Sequence, residues 1–174
     1  CENAFYDCEN LRKVEIPPDS ELETIEKYAF MNSKIESITI PSSLVNLNEG
    51  WCSDTSELTT FSVIPNNKRF LELDKTFIIG KSDVDSDDYD ILVFARRDIE
   101  VAKIPAFIKR IGSFAFDKCE QLREIIFPVD SKLEIFEPYA FSDSKIEKIS
   151  IPPHLTTICE CVFENCRNLR QIDI

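Results

Sequence analysis

Residues 4–44 read AFYDCENLRKVEIPPDSELETIEKYAFMNSKIESITIPSSL, and residues 115–155 read AFDKCEQLREIIFPVDSKLEIFEPYAFSDSKIEKISIPPHL. The two stretches align without a gap at an offset of 111 residues, and the alignment continues to residues 63 and 174. Over these 60 pairs of positions, 25 residues are identical. An internal repeat of this strength indicates a repeat architecture rather than a single globular core.

Each half contains a shorter unit, roughly L-x-x-I-x-I-P, then a polar stretch, then A-F followed by C or S. The apolar residues that close successive units are Ile16, Ile40, Val63, Ile104, Phe127, Ile151 and Ile174. The intervals between them are 24, 23, 41, 23, 24 and 23 residues. Five near-equal intervals predict a stacked solenoid, in which each repeat contacts only its neighbours.

The L-x-x-I-x-I part of the unit predicts a short strand. Val14 and Ile16 alternate with Lys13 and Glu15, so the first pair is expected to face inward and the second outward. Pro17 follows at once and ends the strand, because proline has no N–H to donate to a ladder. Stacked repeats would then form a parallel sheet.

A short apolar segment follows each strand, for example LETIEKYAF at residues 22–30. Its apolar residues lie three to five apart, which favours a helical or 3-10 turn held in place by its neighbours. The sequence therefore predicts an α/β solenoid with short parallel strands and short helical turns. Aromatic rings at one position of the unit are expected to form an internal column: Phe5, Phe30, Phe116, Phe141 and Phe163.

The 41-residue interval contains the one irregular segment of the chain. Residues 76–79 and 91–94 are apolar and β-prone, and a polar acidic stretch separates them. They predict a β-hairpin island inserted into the solenoid. The expected organisation is one solenoid over 1–174, with repeats at about 1–65 and 99–174 and the island at about 66–98.

The repeated motifs resemble the BspA-like leucine-rich repeats, the Treponema pallidum-type class. The fullest matches are AFDKCEQLREIIFP at residues 115–128 and IPAFIKRIGSFAF at residues 104–116. The resemblance implies a right-handed β-α superhelix. It also implies a section of a cell-surface protein of bacteria or parasitic protists, mediating adhesion to host proteins, matrix or other cells. An intracellular repeat scaffold and a structural spacer without its own ligand are the competing interpretations.

Charge and hydropathy narrow the classes of partner. The net charge is −12, and an acidic surface disfavours nucleic acid and anionic membranes because affinity for phosphate comes mainly from Lys and Arg. No apolar run approaches the roughly 20 residues that span a bilayer, so membrane insertion of this segment is not expected. Soluble protein partners, cationic ligands and simple colloidal solubility remain the alternatives, and a protein partner is expected from the family resemblance.

The chain lacks the usual signatures of catalysis and metal binding. It has one histidine, His154, and no Gly-rich phosphate loop, so we expect neither an enzyme nor a cofactor. His154 with Cys159, Cys161 and Cys166 lacks the usual C-x₂₋₄-C zinc spacing. The aspartates from Asp83 onward do not fit the calcium loop of an EF-hand, which requires Gly and Glu at its sixth and twelfth positions.

Two surfaces are the candidates for binding. Outward-facing strand positions would form one regular array: Lys13, Glu15, Ser37, Thr39, Thr60, Ser62, Val101, Lys103, Glu124, Ile126, Lys148, Ser150, Gln171 and Asp173. The island tip is the second candidate, since insertions on regular scaffolds often carry function. Its charged residues are Asp83, Asp85, Asp87, Asp88, Arg96 and Arg97.

The ends of the chain carry no polar cap that would close a solenoid. We therefore expect this segment to belong to a longer array, and to self-associate through its uncapped ends when it is isolated.

Overall fold

The computed structural model describes residues 1–174 as a chain of fifteen strands joined by turns, with no helix. The strands are β1 Lys13–Val14, β2 Thr24–Ile25, β3 Ser37–Ile40, β4 Asn46–Leu47, β5 Thr60–Val63, β6 Phe70–Leu73, β7 Phe77–Gly80, β8 Ile91–Ala95, β9 Val101–Lys103, β10 Arg110–Ile111, β11 Glu124–Ile126, β12 Ile135–Phe136, β13 Lys148–Ser150, β14 Thr157–Ile158 and β15 Gln171–Asp173. No helix of the structure is therefore long and apolar enough to cross a membrane.

Two parallel ladders run along the solenoid. The L-x-x-I-x-I segments form sheets β1-β3-β5 and β9-β11-β13-β15, as the repeat predicts. The shorter strands between them form a second ladder, present as β2-β4 and as the run β8-β10-β12-β14. Each turn of the chain thus contributes a strand to both sides, and stability is roughly a sum over repeats and their interfaces.

The predicted helical or 3-10 turns are wrong, and with them the β-α superhelix. Residues 24–25 of the segment LETIEKYAF pair with residues 46–47 of the next repeat instead of coiling on themselves. Two positions in each turn then have a left-handed backbone, with φ between 54° and 64°, which a right-handed helix cannot contain. The first position holds Asn3, Tyr28, Gly50, Phe114, Tyr139 and Cys161, and the second holds Asp7, Asn32, Asp54, Lys118, Asp143 and Asn165.

Bonds between repeats explain why the turn replaces the helix. Phe30 N–H donates to Trp51 O at 2.8 Å, and Phe116 N–H donates to Ala140 O at 2.8 Å. A neighbouring repeat therefore satisfies the backbone groups that a single helical turn would have to satisfy within itself. Nucleating so short a helix is unfavourable, whereas the stack is already present on both sides.

The island is a three-stranded antiparallel meander, one strand more than the sequence predicts. The predicted hairpin is present, because β7 pairs antiparallel with β8. In addition, β6 pairs antiparallel with β7 over Phe70–Leu73 and Phe77–Gly80. The far side of β8 pairs parallel with β10, so the last island strand also belongs to the solenoid.

The predicted aromatic column exists, but it is interrupted at the island. Phe116 and Phe141 stack at 5.2 Å between ring centroids, and Phe141 and Phe163 at 5.4 Å. Near the other end, Phe5 and Phe30 stack at 5.1 Å. The apolar interior accordingly forms two clusters, of 21 and 13 buried residues, rather than one continuous core.

Candidate functional site

The array of outward-facing strand positions is divided into two surfaces, because the meander separates β5 from β9 and they lie in different sheets. The N-terminal face consists of Lys13, Glu15, Ser37, Thr39, Thr60 and Ser62. The C-terminal face consists of Val101, Lys103, Glu124, Ile126, Lys148, Ser150, Gln171 and Asp173. The expectation of a single continuous array is therefore wrong.

Polar groups of the N-terminal face largely bond to one another. Ser62 Oγ donates to Thr39 Oγ1 at 3.3 Å across β3 and β5. Lys13 forms an ion pair with Glu15 on the same strand segment. This face offers small polar side chains and no large apolar group.

The C-terminal face has a row of four side chains in register: Val101, Glu124, Lys148 and Gln171. Lys148 Nζ lies 2.8 Å from Glu124 Oε1, and this hydrogen bond and charge raise the pKa of Lys148. The pair is solvent-exposed, so it contributes little to stability. Its main effect is to fix two side chains of the row relative to each other.

Exposed apolar side chains and an unpaired lysine lie in and next to that row. Val101 is 42% exposed and Ile126 is 41% exposed, although both belong to strands. Lys103 is in register with Ile126, and no carboxylate lies within ion-pair distance of its ammonium group. The C-terminal face thus combines exposed aliphatic side chains with an unneutralised cation.

The acidic island tip is exposed, and short-range hydrogen bonds from its backbone to its own side chains set its shape. Asp85 N–H donates to Asp83 Oδ1 at 3.0 Å, and Asp88 N–H donates to Ser86 Oγ at 3.0 Å. Such i to i+2 bonds are typical turn geometry. The structure contains no group of three or more His, Cys, Asp or Glu side chains arranged to hold a metal ion. A role of the tip in binding stays a prediction.

Arg97 is not a tip residue, contrary to the prediction, because its side chain lies in the interior and is 1% exposed. Its Nη1 donates to Ala115 O at 3.0 Å, and its guanidinium lies 4.6 Å from the centroid of the Phe94 ring. Its nearest sulfur atoms are those of Cys52 at 3.6 Å and Cys119 at 3.9 Å. Arg97 therefore spans the junction between the two core clusters.

Arg96 differs from its neighbour and remains near the surface. Its Nε lies 2.5 Å from Asp98 Oδ1, and both side chains are more than a third exposed. The Arg-Arg pair thus divides into one surface residue and one core residue.

Asp117 is a buried carboxylate next to this junction. Its Oδ2 accepts a hydrogen bond from Asp54 N–H at 2.7 Å, which ties the third repeat to the fifth. Burial raises the pKa of Asp117 to about 6, although the charge of Arg97 opposes the shift. The neutral form is therefore favoured in the folded state more than in the unfolded chain.

This shift predicts a pH dependence of stability. Because the folded-state pKa is raised, the contribution of Asp117 is fully present below its unfolded pKa and is lost as pH rises through about 6. We expect the wild type to lose about 1 to 2 kcal/mol from this group between pH 5 and pH 7.5. Asp117→Asn cannot ionise, so urea unfolding of both proteins at the two pH values should show a smaller loss for the variant. Equal losses would contradict the assignment.

The seven cysteines are all free thiols: two are buried, two are exposed, and Cys8, Cys159 and Cys166 are partly buried. Burial raises the pKa of Cys52 to about 12 and that of Cys119 to about 11. Cys1 and Cys161 are exposed. Thiolates rather than thiols are the nucleophiles, so access and pKa both protect the buried pair.

We therefore expect iodoacetamide at pH 8 to modify Cys1 and Cys161 in the native protein. Cys52 and Cys119 should react only after denaturant is added. Peptide mapping by mass spectrometry after increasing labelling times gives the order. Native labelling of Cys52 at the rate of Cys161 would show that the interior at the junction is open.

Solved structures of similar fold include a vaccine antigen and several leucine-rich proteins. The pneumococcal vaccine antigen PcpA has a TM-score of 0.80 and 21% identity, covering 98% of this chain and 47% of that one. A leucine-rich cell surface protein of Faecalibacterium prausnitzii A2-165 has a TM-score of 0.61 and 21% identity, covering 95% and 54%. A leucine-rich repeat protein of Eubacterium ventriosum ATCC 27560 has a TM-score of 0.65 and 17% identity, covering 99% and 57%. The chain spans about half the length of these proteins, and the likeness establishes its fold.

No curated protein matches the sequence significantly. The sequence model of the BspA type leucine-rich repeat region does match it, in six copies over residues 1–74 and 92–174. Residues 75–91, between the two matched ranges, contain β7 and most of the acidic tip. The matched residues cover most of the solenoid, and this chain belongs to the BspA-type leucine-rich repeat family.

Proposed function

We propose that this chain is a non-enzymatic protein-interaction module of a cell-surface protein. It binds host or cell-surface macromolecules, through its C-terminal face. The observation that carries the proposal is the combination of exposed Val101 and Ile126 with the unpaired Lys103 on a rigid sheet. Protein–protein interfaces combine apolar contact area with complementary charge. A face that only contacts solvent has no use for exposed aliphatic side chains beside an unpaired cation.

Relatives of the same fold support a surface location. One is described as a vaccine antigen and another as a cell surface protein. Large aromatic hot-spot residues are missing from the C-terminal face, so a single contact would be weak. Repetition of such contacts along an array would compensate through avidity.

The test is capture of a partner by the immobilised chain from a host-cell surface fraction, with loss of capture on altering the face. Ile126→Glu and Lys103→Glu reverse its two distinguishing features. Lys132→Glu is the matched control, since Lys132 is exposed but lies in the loop between β11 and β12.

We expect the face variants to lose the captured protein and the control to retain it. Equal loss in all three variants would indicate a general charge effect. Unchanged capture in all three would contradict binding through this face. Absence of any specific capture would favour a structural spacer.

The exposed end of the solenoid gives a separate prediction. Ile172 in β15 is 49% exposed, and β15 pairs only with β13. We expect the 174-residue chain to associate reversibly through this end, because an open parallel edge with apolar side chains is a template for pairing. Sedimentation velocity over a range of concentrations should show dimer formation that Ile172→Glu weakens. A wild-type profile that stays monomeric would refute it.

A further inference from the structure

A cleft open to solvent lies where the short-strand ladder is interrupted, between β4 and the meander. Its volume is about 280 Å³. One wall is the edge of β4, and the other comes from the start of β6, the end of β7 and the outer side of β8. Trp51, Ile91 and Val93 supply apolar surface, so the cleft is lined by both apolar and polar groups.

The wall formed by β4 is an unpaired strand edge. Asn48 N–H donates to Ile25 O at 2.9 Å, so the alternation of a parallel ladder turns the N–H and C=O of Leu47 away from β2. In the other short strands, the carbonyl equivalent to that of Leu47 accepts a backbone hydrogen bond from the next repeat. These carbonyls belong to Ile25, Leu92, Ile111 and Phe136. No donor reaches the Leu47 carbonyl.

The same holds two residues earlier, at Val45, just before β4 begins. The carbonyl equivalent to that of Val45 accepts two N–H groups of the next repeat in four places: Glu23, Asp90, Lys109 and Glu134. The Val45 carbonyl accepts none. The cleft therefore contains backbone donors and acceptors, at ladder spacing, that the rest of the stack uses for pairing.

The charges of the cleft are unbalanced in one direction. Both carboxylates that line it are already paired: Glu49 lies 2.7 Å from Lys27 Nζ, and Glu137 lies 2.6 Å from Arg110 Nη2. The two cations that line it, Arg69 and Lys81, form no ion pair, although the Lys81 ammonium lies 5.1 Å from the centroid of the Tyr89 ring. In a chain of net charge −12, this site has an excess of positive charge that no carboxylate of the chain neutralises.

We propose that the cleft binds an extended peptide segment of a partner protein, with a carboxylate side chain between Arg69 and Lys81. The segment adds a strand to β4 by pairing with Leu47 and Val45. Strand addition of this kind derives affinity from main-chain bonds and specificity from side-chain pockets. This peptide-binding proposal rests on the proposed function only in taking the partner to be a protein. It concerns the cleft and not the C-terminal face.

A peptide fits the cleft better than a simple anion. A phosphate group or an acidic sugar would satisfy Arg69 and Lys81 but would leave the directional groups of Leu47 unused. An extended peptide supplies both a carboxylate and alternating N–H and C=O groups at the ladder spacing.

The experiment selects short random peptides displayed on phage against the immobilised 174-residue chain, and then measures the best binder as a synthetic peptide by fluorescence anisotropy. We expect the selected sequences to be rich in β-branched residues with at least one Asp or Glu. The double variant Arg69→Glu, Lys81→Glu should bind the synthetic peptide at least tenfold more weakly than the wild type does. Lys68→Glu is the matched control, because Lys68 is exposed and does not line the cleft. It should bind within about twofold of the wild type.

Hydrogen exchange at Leu47 distinguishes pairing from charge attraction alone. Binding should slow exchange of the Leu47 amide, and N-methylation of the peptide backbone should abolish that effect. Peptides that bind the double variant as well as the wild type would overturn the proposal. So would displacement of the peptide by inorganic phosphate or heparin without protection of Leu47, which would assign the cleft to a non-peptide anion.

The two proposals fail independently. Ile126→Glu with Lys103→Glu should leave peptide binding unchanged, and loss of binding there would place the peptide on the C-terminal face instead. Conversely, the cleft variants should leave capture through the C-terminal face intact.

Discussion

Phe141→Ala is expected to lower the free energy of unfolding by about 3 to 5 kcal/mol, the range for a fully buried phenylalanine. Its ring is completely buried and stacks on Phe116 at 5.2 Å and Phe163 at 5.4 Å. A third ring, Phe136, meets it edge-on at 5.2 Å. Truncation would remove contacts to three repeats at once and leave a cavity that the stack cannot close.

Urea unfolding followed by circular dichroism measures this loss. Phe107→Ala is the matched control, because Phe107 is 45% exposed and belongs to no ring stack. Phe107→Ala should lower the free energy of unfolding by about 1 kcal/mol or less. Similar losses for the two variants would mean that the column does not hold the repeats together.

Arg97→Ala is expected to lower the free energy of unfolding by a comparable amount, about 3 to 5 kcal/mol. The side chain fills the space between the two core clusters, and its charge opposes the rise that burial causes in the pKa of Asp117. Alanine would leave a large void there and remove a cation that partly stabilises the Asp117 carboxylate. Thermal or urea unfolding at pH 7.5 gives the difference directly.

Two companion variants separate volume from charge. Arg97→Met keeps most of the volume but removes the same charge as Arg97→Ala, and the carbonyls of Ala115 and Phe114 retain backbone donors. We therefore expect it to lose less stability than Arg97→Ala by the cavity contribution, about 2 kcal/mol or more. Arg96→Ala removes only an exposed ion pair and should also cost about 1 kcal/mol or less. A small effect of Arg97→Ala would mean that its side chain lies in solvent, as the sequence suggested.

The sequence carried enough information for the repeat and its inner side chains, because the period is visible in single residues. Phe30 and Phe141 are buried, at 3% and 0% exposure, as the column predicts. The buried position of Arg97 could also have been predicted from the repeat. Phe94 precedes Ile104 by ten residues, as Phe30 precedes Ile40, and this alignment places Arg97 in the interior position of Ser33.

The conformation of the turns could not be predicted in the same way, because the pattern of a short apolar segment fits a helical turn and a two-residue strand equally well. Asp7, Asn32, Asp54, Asp143 and Asn165 recur at one left-handed position, and Asp and Asn tolerate that conformation. Tyr28 and Tyr139 at the other position give no such indication, since bulky residues rarely adopt positive φ.

The cleft could not be predicted at all from the repeat. It exists because the chain leaves the stack after β5 and returns as β8, which uses one edge for β7 and the other for β10. β4 is thereby left without its next neighbour. Such a defect depends on where an insertion redirects the backbone, and the pattern of apolar residues does not encode that direction.

Residue-resolved hydrogen exchange tests most directly whether successive repeats are bonded to one another on every side. Ile104 N–H donates to Ile126 O at 3.0 Å, Gly112 N–H to Leu92 O at 2.8 Å, and Phe116 N–H to Ala140 O at 2.8 Å. These three amides represent the two ladders and the turns. We predict that all three exchange slowly and at similar rates, while Val129, which is 98% exposed, exchanges rapidly. Exchange of Ile104, Gly112 and Phe116 as fast as Val129 would contradict the stacked solenoid.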